Sequence, residues 1–383
     1  MKKTRAKGTQ STIPVTRPTL ESYDMYAPLF EKPIQSGMLT THVHVAEFEK
    51  RVAKYLGVKH CVAVSSCTAG LMLVLKGLGL EGEVIVPSFT FAATAHPLVW
   101  NNLKPVFADI EPGTYTLDSA SVEKHITSKT SAILATHVFG VVCDIKKLQA
   151  LAHKHKLKLI FDAAHAFGSS RGGVKVGNFG DAEVFSLSPI KVLTAVEGGI
   201  VATNSDALAQ YVRLGRNYGD DGTNNMLFVG LSARMSEFHA AVGLRSLAKL
   251  PANLKNRHAK AQYLLAGLKK IEPKLRFQII PPHTTTTYYI FSIYIDPSVL
   301  GYTRDMLFDF FATQGISARK YFYPPLHKQT AYAGVSVKKG SLVVTDTVAE
   351  SVLSLPLYSH IAKGDMDRVL HAFKEFTQNQ HAH

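Results

Sequence analysis

Short apolar runs alternate with helical patterns over the first half of the sequence, and this alternation constrains the fold more than any other feature. Several of the runs are continuously apolar, as is typical of strands buried on both faces. Strands that alternate with helices predict parallel β-α-β units, whose ligands bind at the carboxyl ends of the strands. The predicted strands are 61–65, 83–87, 105–109, 131–138 and 157–162.

The alternation changes near residue 183. The runs 183–188 and 199–203 predict two strands that pair like a hairpin around an apolar segment. A Leu-rich helical pattern over 235–250 is followed by Pro251, which predicts a domain junction. We therefore predict an α/β protein with a disordered tail at 1–12. An N-terminal arm and a large α/β domain then occupy 13–250, and a smaller α+β domain occupies 251–383.

Composition excludes several functional classes. No run reaches the roughly 18 apolar residues of a membrane span, and the basic N-terminus lacks the apolar region of a secretory signal. Three scattered cysteines predict neither a disulfide framework nor a zinc site, so a cytoplasmic protein without metal is expected. The net charge of +14 favours polyanionic ligands. A phosphorylated small substrate is preferred over nucleic acid, because the sequence has no arginine-rich helix.

Lys191 stands in the apolar segment between the paired strands, beside Pro189, Ile190, Val192 and Leu193. Desolvation disfavours an ammonium group, and an unprotonated amine can attack an aldehyde to form a Schiff base. Taken alone, the segment is equally compatible with a lysine that reaches out to solvent.

Two further candidate sites lie at the carboxyl ends of predicted strands. Ser66, Cys67 and Thr68 open a helix, where backbone N–H groups and the helix dipole favour an anion. Simple N-capping by the hydroxyl groups is the alternative. Asp162 ends a buried strand, so its carboxylate is expected to face the ligand crevice and to hold the nitrogen of a pyridine ring protonated. Capping of the next turn is the alternative for Asp162.

Phe91, Ser186 and His165 are weaker candidates in the same region. Phe91 could stack on a ring face or lie in the core. Ser186 could reach a phosphate or face a neighbouring strand. His165 could contact a ring hydroxyl or have a structural role. An anion site, a stacking ring, a carboxylate at the end of a strand and an apolar lysine are the groups that pyridoxal phosphate requires.

Motifs along nearly the whole chain, from Ile13 to Phe376, resemble those of the DegT/DnrJ/StrS family of nucleotide-sugar aminotransferases. The motifs are Ser36-Gly-Met-Leu-Thr-Thr41, Ala63-Val-Ser-Ser-Cys-Thr-Ala-Gly70, Glu83-Val-Ile-Val-Pro-Ser-Phe-Thr-Phe91, Asp162-Ala-Ala-His-Ala-Phe-Gly168, Phe185-Ser-Leu-Ser-Pro-Ile-Lys191, Arg234-Met-Ser-Glu-Phe-His-Ala-Ala241 and Tyr321-Phe-Tyr-Pro-Pro-Leu-His327.

The resemblance implies a fold-type-I enzyme, with a mostly parallel central sheet flanked by helices, that works as a homodimer with shared active sites. It implies that Lys191 forms the Schiff base and moves a proton, and that Asp162 pairs with the pyridine nitrogen. The remaining implied roles are phosphate binding by Ser66, Cys67, Thr68 and Ser186; ring contacts by Phe91 and His165; a partner-facing role for Arg234; and substrate binding by Thr40, Tyr321 and His327.

The sequence departs from the family pattern at three positions: Cys67 replaces a commoner glycine, Ser232 an asparagine and His165 a glutamine. The wording around Asp162 is most similar to the branch that aminates C4 of nucleotide-linked 4-keto-6-deoxyhexoses, with L-glutamate as the expected donor. The expected product is a deoxyamino sugar for the lipopolysaccharide O-antigen or for a glycosylated natural product. A sugar dehydratase and a regulatory cofactor-binding protein are the alternatives, and Lys191 argues against the dehydratase.

Overall fold

The computed structural model describes residues 11–337 and 340–381. Its largest sheet has seven strands in the order β1-β9-β8-β5-β4-β2-β3, all parallel except β9, which runs antiparallel to both neighbours. The strands are β1 His60–Val64, β2 Glu83–Pro87, β3 Lys104–Ala108, β4 Thr130–Thr136, β5 Lys158–Asp162, β6 Ser170–Arg171, β7 Val174–Lys175, β8 Ala182–Ser186, β9 Gly199–Thr203, β10 Arg276–Phe277, β11 Thr284–Thr285, β12 Phe291–Tyr294 and β13 Val352–Leu355. The predicted parallel α/β sheet and the hairpin-like pair β8–β9 are confirmed.

Helices cover both faces of this sheet. They are α1 Ala27–Ser36, α2 Val43–Leu56, α3 Cys67–Gly77, α4 Ala92–Trp100, α5 Ser119–His125, α6 Ile145–His155, α7 Asp206–Gly215, α8 Glu237–Ile271, α9 Pro297–Leu300, α10 Arg304–Thr313, α11 Val343–Ser351 and α12 Lys363–His381. Short 3-10 turns lie at Tyr23–Met25, Val138–Gly140, Leu326–Lys328 and Thr330–Tyr332. In the part of the chain that the structure describes, no helix is both long and apolar enough to cross a membrane.

Successive residues of the central strands point into two different cores. In β5, Leu159 and Phe161 pack on the side of α2, whereas Ile160 packs on the side of α3. Each fully buried side chain of this size contributes roughly 1.5–3 kcal/mol to folding. Burial on both sides explains why these strands read as continuous apolar runs, and it fixes the edge at which their carboxyl ends meet.

A carboxylate far along the chain caps the first turn of α2. Glu237, which begins α8 and is buried, accepts hydrogen bonds from the backbone N–H groups of His42 (2.8 Å), His44 (2.7 Å) and Val45 (3.0 Å). A negative charge at this position satisfies N–H groups that lack helical partners and complements the helix dipole. The contact fastens the end of the N-terminal arm, residues 13–44, to the start of α8.

The predicted end of a helix at Leu250 is wrong, because α8 continues through Pro251. Proline in a helix interior costs about 3 kcal/mol. Buried residues on both sides offset that cost: Leu247 and Leu250 pack in the core under the large sheet, and Leu264 and Leu268 pack in a second core. The helix therefore joins two cores.

The second core is built around an antiparallel sheet, β10-β12-β13, with α10 and α12. Ile13 also belongs to it, since its N–H donates to Gly315 and its carbonyl accepts from Ser317, both at 2.9 Å. Hence residue 13, which the prediction grouped with the large domain, packs with the C-terminal unit. Residues 1–10 of the predicted disordered tail lie outside the described residues.

Candidate active site

The carboxyl ends of β1, β5 and β8 bring the main candidates to one edge of the sheet. Asp162 is the last residue of β5, Ser186 is the last of β8, and Ser66 follows β1. Gly199, the first residue of β9, pairs with Ser186 on one side and with Val64 on the other. The sheet register thus places two of the predicted phosphate-binding segments beside each other.

The turn from β1 into α3 has the form of an anion site. Ser66 caps α3 by accepting a hydrogen bond from Ala69 N–H at 3.1 Å, so the capping alternative holds for its hydroxyl. The N–H groups of the first helical turn still point out of the helix toward the site. A Cβ atom at Gly199 would lie 2.6 Å from the Ser66 carbonyl and 2.7 Å from Cys67 N. Glycine is what allows the turn to approach β9 so closely.

Asp162 is almost fully buried, with 4% exposure. One carboxylate oxygen accepts from the Thr94 hydroxyl at 2.6 Å, and the other accepts from Ala164 N–H at 3.0 Å. The contact with Ala164 is the local turn cap that was the alternative for Asp162. The contact with Thr94 is a tertiary contact from α4. A buried carboxylate requires such partners, and this pair fixes its orientation.

Cys67 lies directly beside this carboxylate. Its Sγ atom is 3.9 Å from an Asp162 oxygen and 3.5 Å from the Val184 carbonyl. Burial, and then the charge of Asp162, raise the pKa of the Cys67 thiol well above its usual value, while the charge of Lys191 lowers it. The thiol therefore stays protonated, and charges from Asp162 and Lys191 both act on it.

Lys191 lies in the turn between β8 and β9 and is half-buried. Its Nζ atom donates to the hydroxyl of Tyr289 at 3.1 Å and lies 4.3 Å from the centre of the Tyr289 ring. The side chain is thus held by an aromatic residue of the C-terminal half, not extended into solvent. Sequence reasoning missed Tyr289, because it lies 98 positions away within an unremarkable aromatic run.

His165 lies in an aromatic cluster. Its ring stacks on Tyr289, with 4.5 Å between ring centres, and its Nδ1 accepts from Phe139 N–H at 3.3 Å. Burial, and then the charge of Lys191, hold the pKa of His165 well below its usual value. A neutral imidazole accounts for both contacts, and both agree with the structural alternative for His165. The contact of His165 with a cofactor ring stays a prediction.

Phe91 and Tyr321 line one cleft. Phe91 is 59% exposed at the start of α4, so the core alternative for it is wrong. It faces a cleft of about 400 Å³ that it shares with Arg319, Tyr321 and Tyr323. Aromatic faces and a guanidinium group in one cleft suit a flat, anionic ligand.

The other predicted residues contact their own surroundings. The Ser186 hydroxyl is 3.3 Å from that of Ser188. The exposed Arg234 donates to Asn217 at 3.1 Å, and Thr40 forms an antiparallel bridge with Ser236. The carbonyl of the residue before Arg234 accepts from Ser65 N–H at 2.8 Å, so this segment borders the anion turn. Thr68 is half-buried in that turn.

Both ring nitrogens of His327 have partners within the protein. Nδ1 lies 2.7 Å from the Ser88 hydroxyl, and Nε2 lies 3.2 Å from a carboxylate oxygen of Asp346. Ser88 follows β2, so the ring ties its own turn to the same edge of the sheet. These contacts are structural, and substrate binding by His327 stays a prediction.

The residues present fit pyridoxal phosphate. The close approach at Gly199 forms a turn that suits a phosphate, and the buried Asp162 suits a protonated pyridine nitrogen. Lys191 supplies the amine, and its charge and that of Asp162 both reach the same thiol. Cys67, which stands where the family commonly has glycine, contacts the Asp162 carboxylate and the Val184 carbonyl. The close approach between this turn and β9 depends on Gly199 instead.

Comparison with known proteins identifies relatives over most of the chain. The model of the DegT/DnrJ/EryC1/StrS aminotransferase family matches residues 26–374. GDP-perosamine synthase of Caulobacter vibrioides is 33% identical, over 86% of this chain and 89% of its own. The dTDP-4-amino-4,6-dideoxy-D-glucose transaminase of Escherichia coli is 33% identical, over 91% and 95%. The crystal structure of DesI in the presence of its TDP-sugar product superposes with a TM-score of 0.91 at 35% identity, covering 96% of this chain and 94% of DesI. The predicted fold is confirmed.

Proposed function

Because the chain belongs to the DegT/DnrJ/EryC1/StrS aminotransferase family, we propose that it transfers an amino group to the keto group of a nucleotide-linked sugar, with pyridoxal phosphate as cofactor. The expected substrate is a 4-keto-6-deoxyhexose, and the expected donor is L-glutamate. The observation that carries the proposal is the buried Asp162 carboxylate, 3.9 Å from the Cys67 thiol at the turn that opens α3, with the charge of Lys191 near enough to lower the pKa of that thiol.

Each candidate residue has a definite task in this proposal. Pyridoxal phosphate supplies an aldehyde that condenses with amines and a ring that accepts electrons. The first turn of α3 and Ser186 hold its phosphate, and Phe91 covers one face of its ring. The Asp162 carboxylate keeps a proton on the pyridine nitrogen. Lys191 would move a proton between the substrate carbon and the cofactor, as a positioned general base and acid.

The cleft beside Phe91 is proposed as the substrate site. Arg319 lies there with an exposed side chain, near Tyr321 and Tyr323. A guanidinium group binds a diphosphate through paired hydrogen bonds, and an aromatic face accepts a base or a sugar. Thr40 and His327 are further proposed substrate contacts, carried over from the family resemblance.

A second copy of the chain is proposed to complete the site. The arm exposes Tyr23 (71%) and Ile34 (65%), and the loop before Arg234 exposes Leu227 (56%) and Val229 (91%). Clusters of exposed apolar residues are typical of protein interfaces. In a homodimer, this loop would bring Arg234 toward the active site of the partner.

The proposal is tested with purified protein and pyridoxal phosphate. We expect a yellow protein, borohydride reduction that leaves the cofactor attached to Lys191, and bleaching by L-glutamate. Lys191→Ala should lose the attachment, whereas Lys154→Ala, an exposed lysine paired with Glu123, should keep it. Incubation with nucleotide-linked keto-sugars and glutamate should give a product whose mass shows that an amine has replaced oxygen.

Three results would contradict the proposal. Reducible attachment that persists in Lys191→Ala would remove the assignment of this residue. A product formed by loss of water would establish the dehydratase instead of the aminotransferase. DNA binding without any turnover would favour the regulatory alternative.

A further inference from the structure

Tyr289 is the direct partner of the Lys191 amine. Its hydroxyl oxygen lies 3.1 Å from Nζ, and its ring centre lies 4.3 Å from the same atom. The tyrosine is buried, with 5% exposure, whereas Lys191 is half-buried. The lysine therefore meets a hydroxyl group that burial holds in one place.

The backbone of Tyr289 is fixed on both sides. Its N–H donates to the Phe139 carbonyl at 3.1 Å, and its carbonyl accepts from the guanidinium of Arg257 at 3.0 Å. Arg257 is buried, and it also donates to the carbonyls of Tyr288 (2.9 Å) and Leu357 (3.2 Å). Burial lowers the pKa of Arg257 to about 10, so the guanidinium remains charged near neutral pH. These hydrogen bonds fix the position of the Tyr289 backbone relative to Lys191.

The ring of Tyr289 is fixed as well. It stacks on the ring of His165 with an interplanar angle of 19°. Tyr288 adopts a left-handed backbone, with φ of 46°, a conformation that costs free energy in a residue with a side chain. Such strain tends to persist where the surrounding structure requires one orientation of the chain, and here it turns Tyr289 toward the lysine.

We propose that Tyr289 is a positioning residue for Lys191, one that holds the free amine facing the cofactor site. The inference rests on the proposed function. A phenol hydroxyl both donates and accepts, so it can pair with the ammonium and with the neutral amine. Lysine has a flexible four-carbon side chain, and a fixed partner restricts the positions that the amine occupies between proton transfers.

The test compares Tyr289→Phe with Tyr288→Phe in the full-length chain. The first change removes the hydroxyl but keeps the ring that stacks on His165. The second is a matched control, since the Tyr288 hydroxyl contacts Gln262 at 3.1 Å and not the lysine. Two readouts are used: the rate at which cofactor-free protein attaches pyridoxal phosphate, followed by absorbance, and the single-turnover rate with glutamate and with α-deuterated glutamate.

For Tyr289→Phe we expect attachment to slow about tenfold, the change expected from the loss of one hydrogen bond to an amine. The single-turnover rate should fall by a similar factor with a larger deuterium effect, and the glutamate concentration that gives half of the maximal single-turnover rate should stay within about twofold. Tyr288→Phe should match the wild type. Unchanged attachment and isotope effect in Tyr289→Phe would overturn the role of Tyr289 while leaving the proposed function intact. Failure of the wild type to attach the cofactor would instead remove the proposed function itself.

Discussion

At the scale of single residues, the site depends on a glycine as much as on its reactive groups. Gly199→Ala would place a methyl group 2.6 Å from the Ser66 carbonyl. The turn that opens α3 must then shift, and we expect a loss of about 1–3 kcal/mol in the free energy of unfolding together with weaker cofactor binding. Chemical denaturation and cofactor titration measure the two effects.

Gly364→Ala is the matched control for this change, because an added methyl group there meets nothing within 4 Å. It lies in the first turn of α12, where alanine is favoured over glycine by up to about 1 kcal/mol. Equal effects of the two substitutions would show that the close approach at Gly199 has no consequence.

The neutral His165 makes a prediction about pH. Its pKa is lowered in the folded protein, so below about pH 6.5 the unfolded chain binds a proton that the folded chain does not. The contribution of His165 to stability is therefore present above that pH and is lost as the pH falls, by up to about 1.4 kcal/mol per pH unit. His165→Gln should make the free energy of unfolding less sensitive to pH between 7 and 5, as measured by urea unfolding.

His371→Gln, at an exposed position on α12, should leave that pH dependence unchanged. If wild type and His165→Gln lose stability in parallel as the pH falls, His165 is protonated in the native state and the interpretation of its aromatic cluster is wrong.

Sequence reasoning located Lys191, Asp162 and the Ser66–Thr68 turn, because each follows a strand whose apolar pattern is clear. It could not locate Tyr289 or assign a function to Gly199. Their importance comes from contacts between segments distant in sequence, and neither residue type is unusual in its own segment. The contact between Cys67 and Asp162 could not be predicted either, since the sequence shows only that Cys67 lies in a turn.

At the scale of elements, strands and helices of the large sheet were predicted best. The observed bounds of β2 and β9 equal the predicted ones, because glycine or proline residues flank both apolar runs. The strands β6 and β7, of two residues each, were missed, since so short a run has no period. The continuation of α8 through Pro251 was missed because tertiary burial overrides local propensity.

Glu237 gives a prediction at this scale. Glu237→Ala removes the cap of α2 and leaves three buried or half-buried N–H groups without their acceptor. We expect a loss of about 2–4 kcal/mol in the free energy of unfolding. Glu47→Ala, which removes an exposed pair with Arg51 on the same helix, should leave the free energy of unfolding nearly unchanged. A loss as small for Glu237→Ala would mean that water replaces the cap without cost. Thermal and chemical unfolding measure both.

At the scale of the whole molecule, the proposed homodimer predicts that the exposed loop before Arg234 is an interface. Val229→Asp places a charge at a side chain that is 91% exposed in the single chain. We expect the dimer dissociation constant to rise at least about tenfold, measured by analytical ultracentrifugation. Val174→Asp, at an exposed valine of β7, should leave the dimer intact. A monomeric wild type, or a dimer indifferent to Val229→Asp, would place the interface elsewhere or nowhere.

The pairing of Ile13 with the segment around Ile316 has a consequence for biosynthesis. The large sheet is complete once β9 has been made, because β9 joins β1 to the other strands, whereas the second core needs a residue made near the start and helices made near the finish. That core must be the last to close, and Ile13 has to wait without its partners until translation is nearly complete.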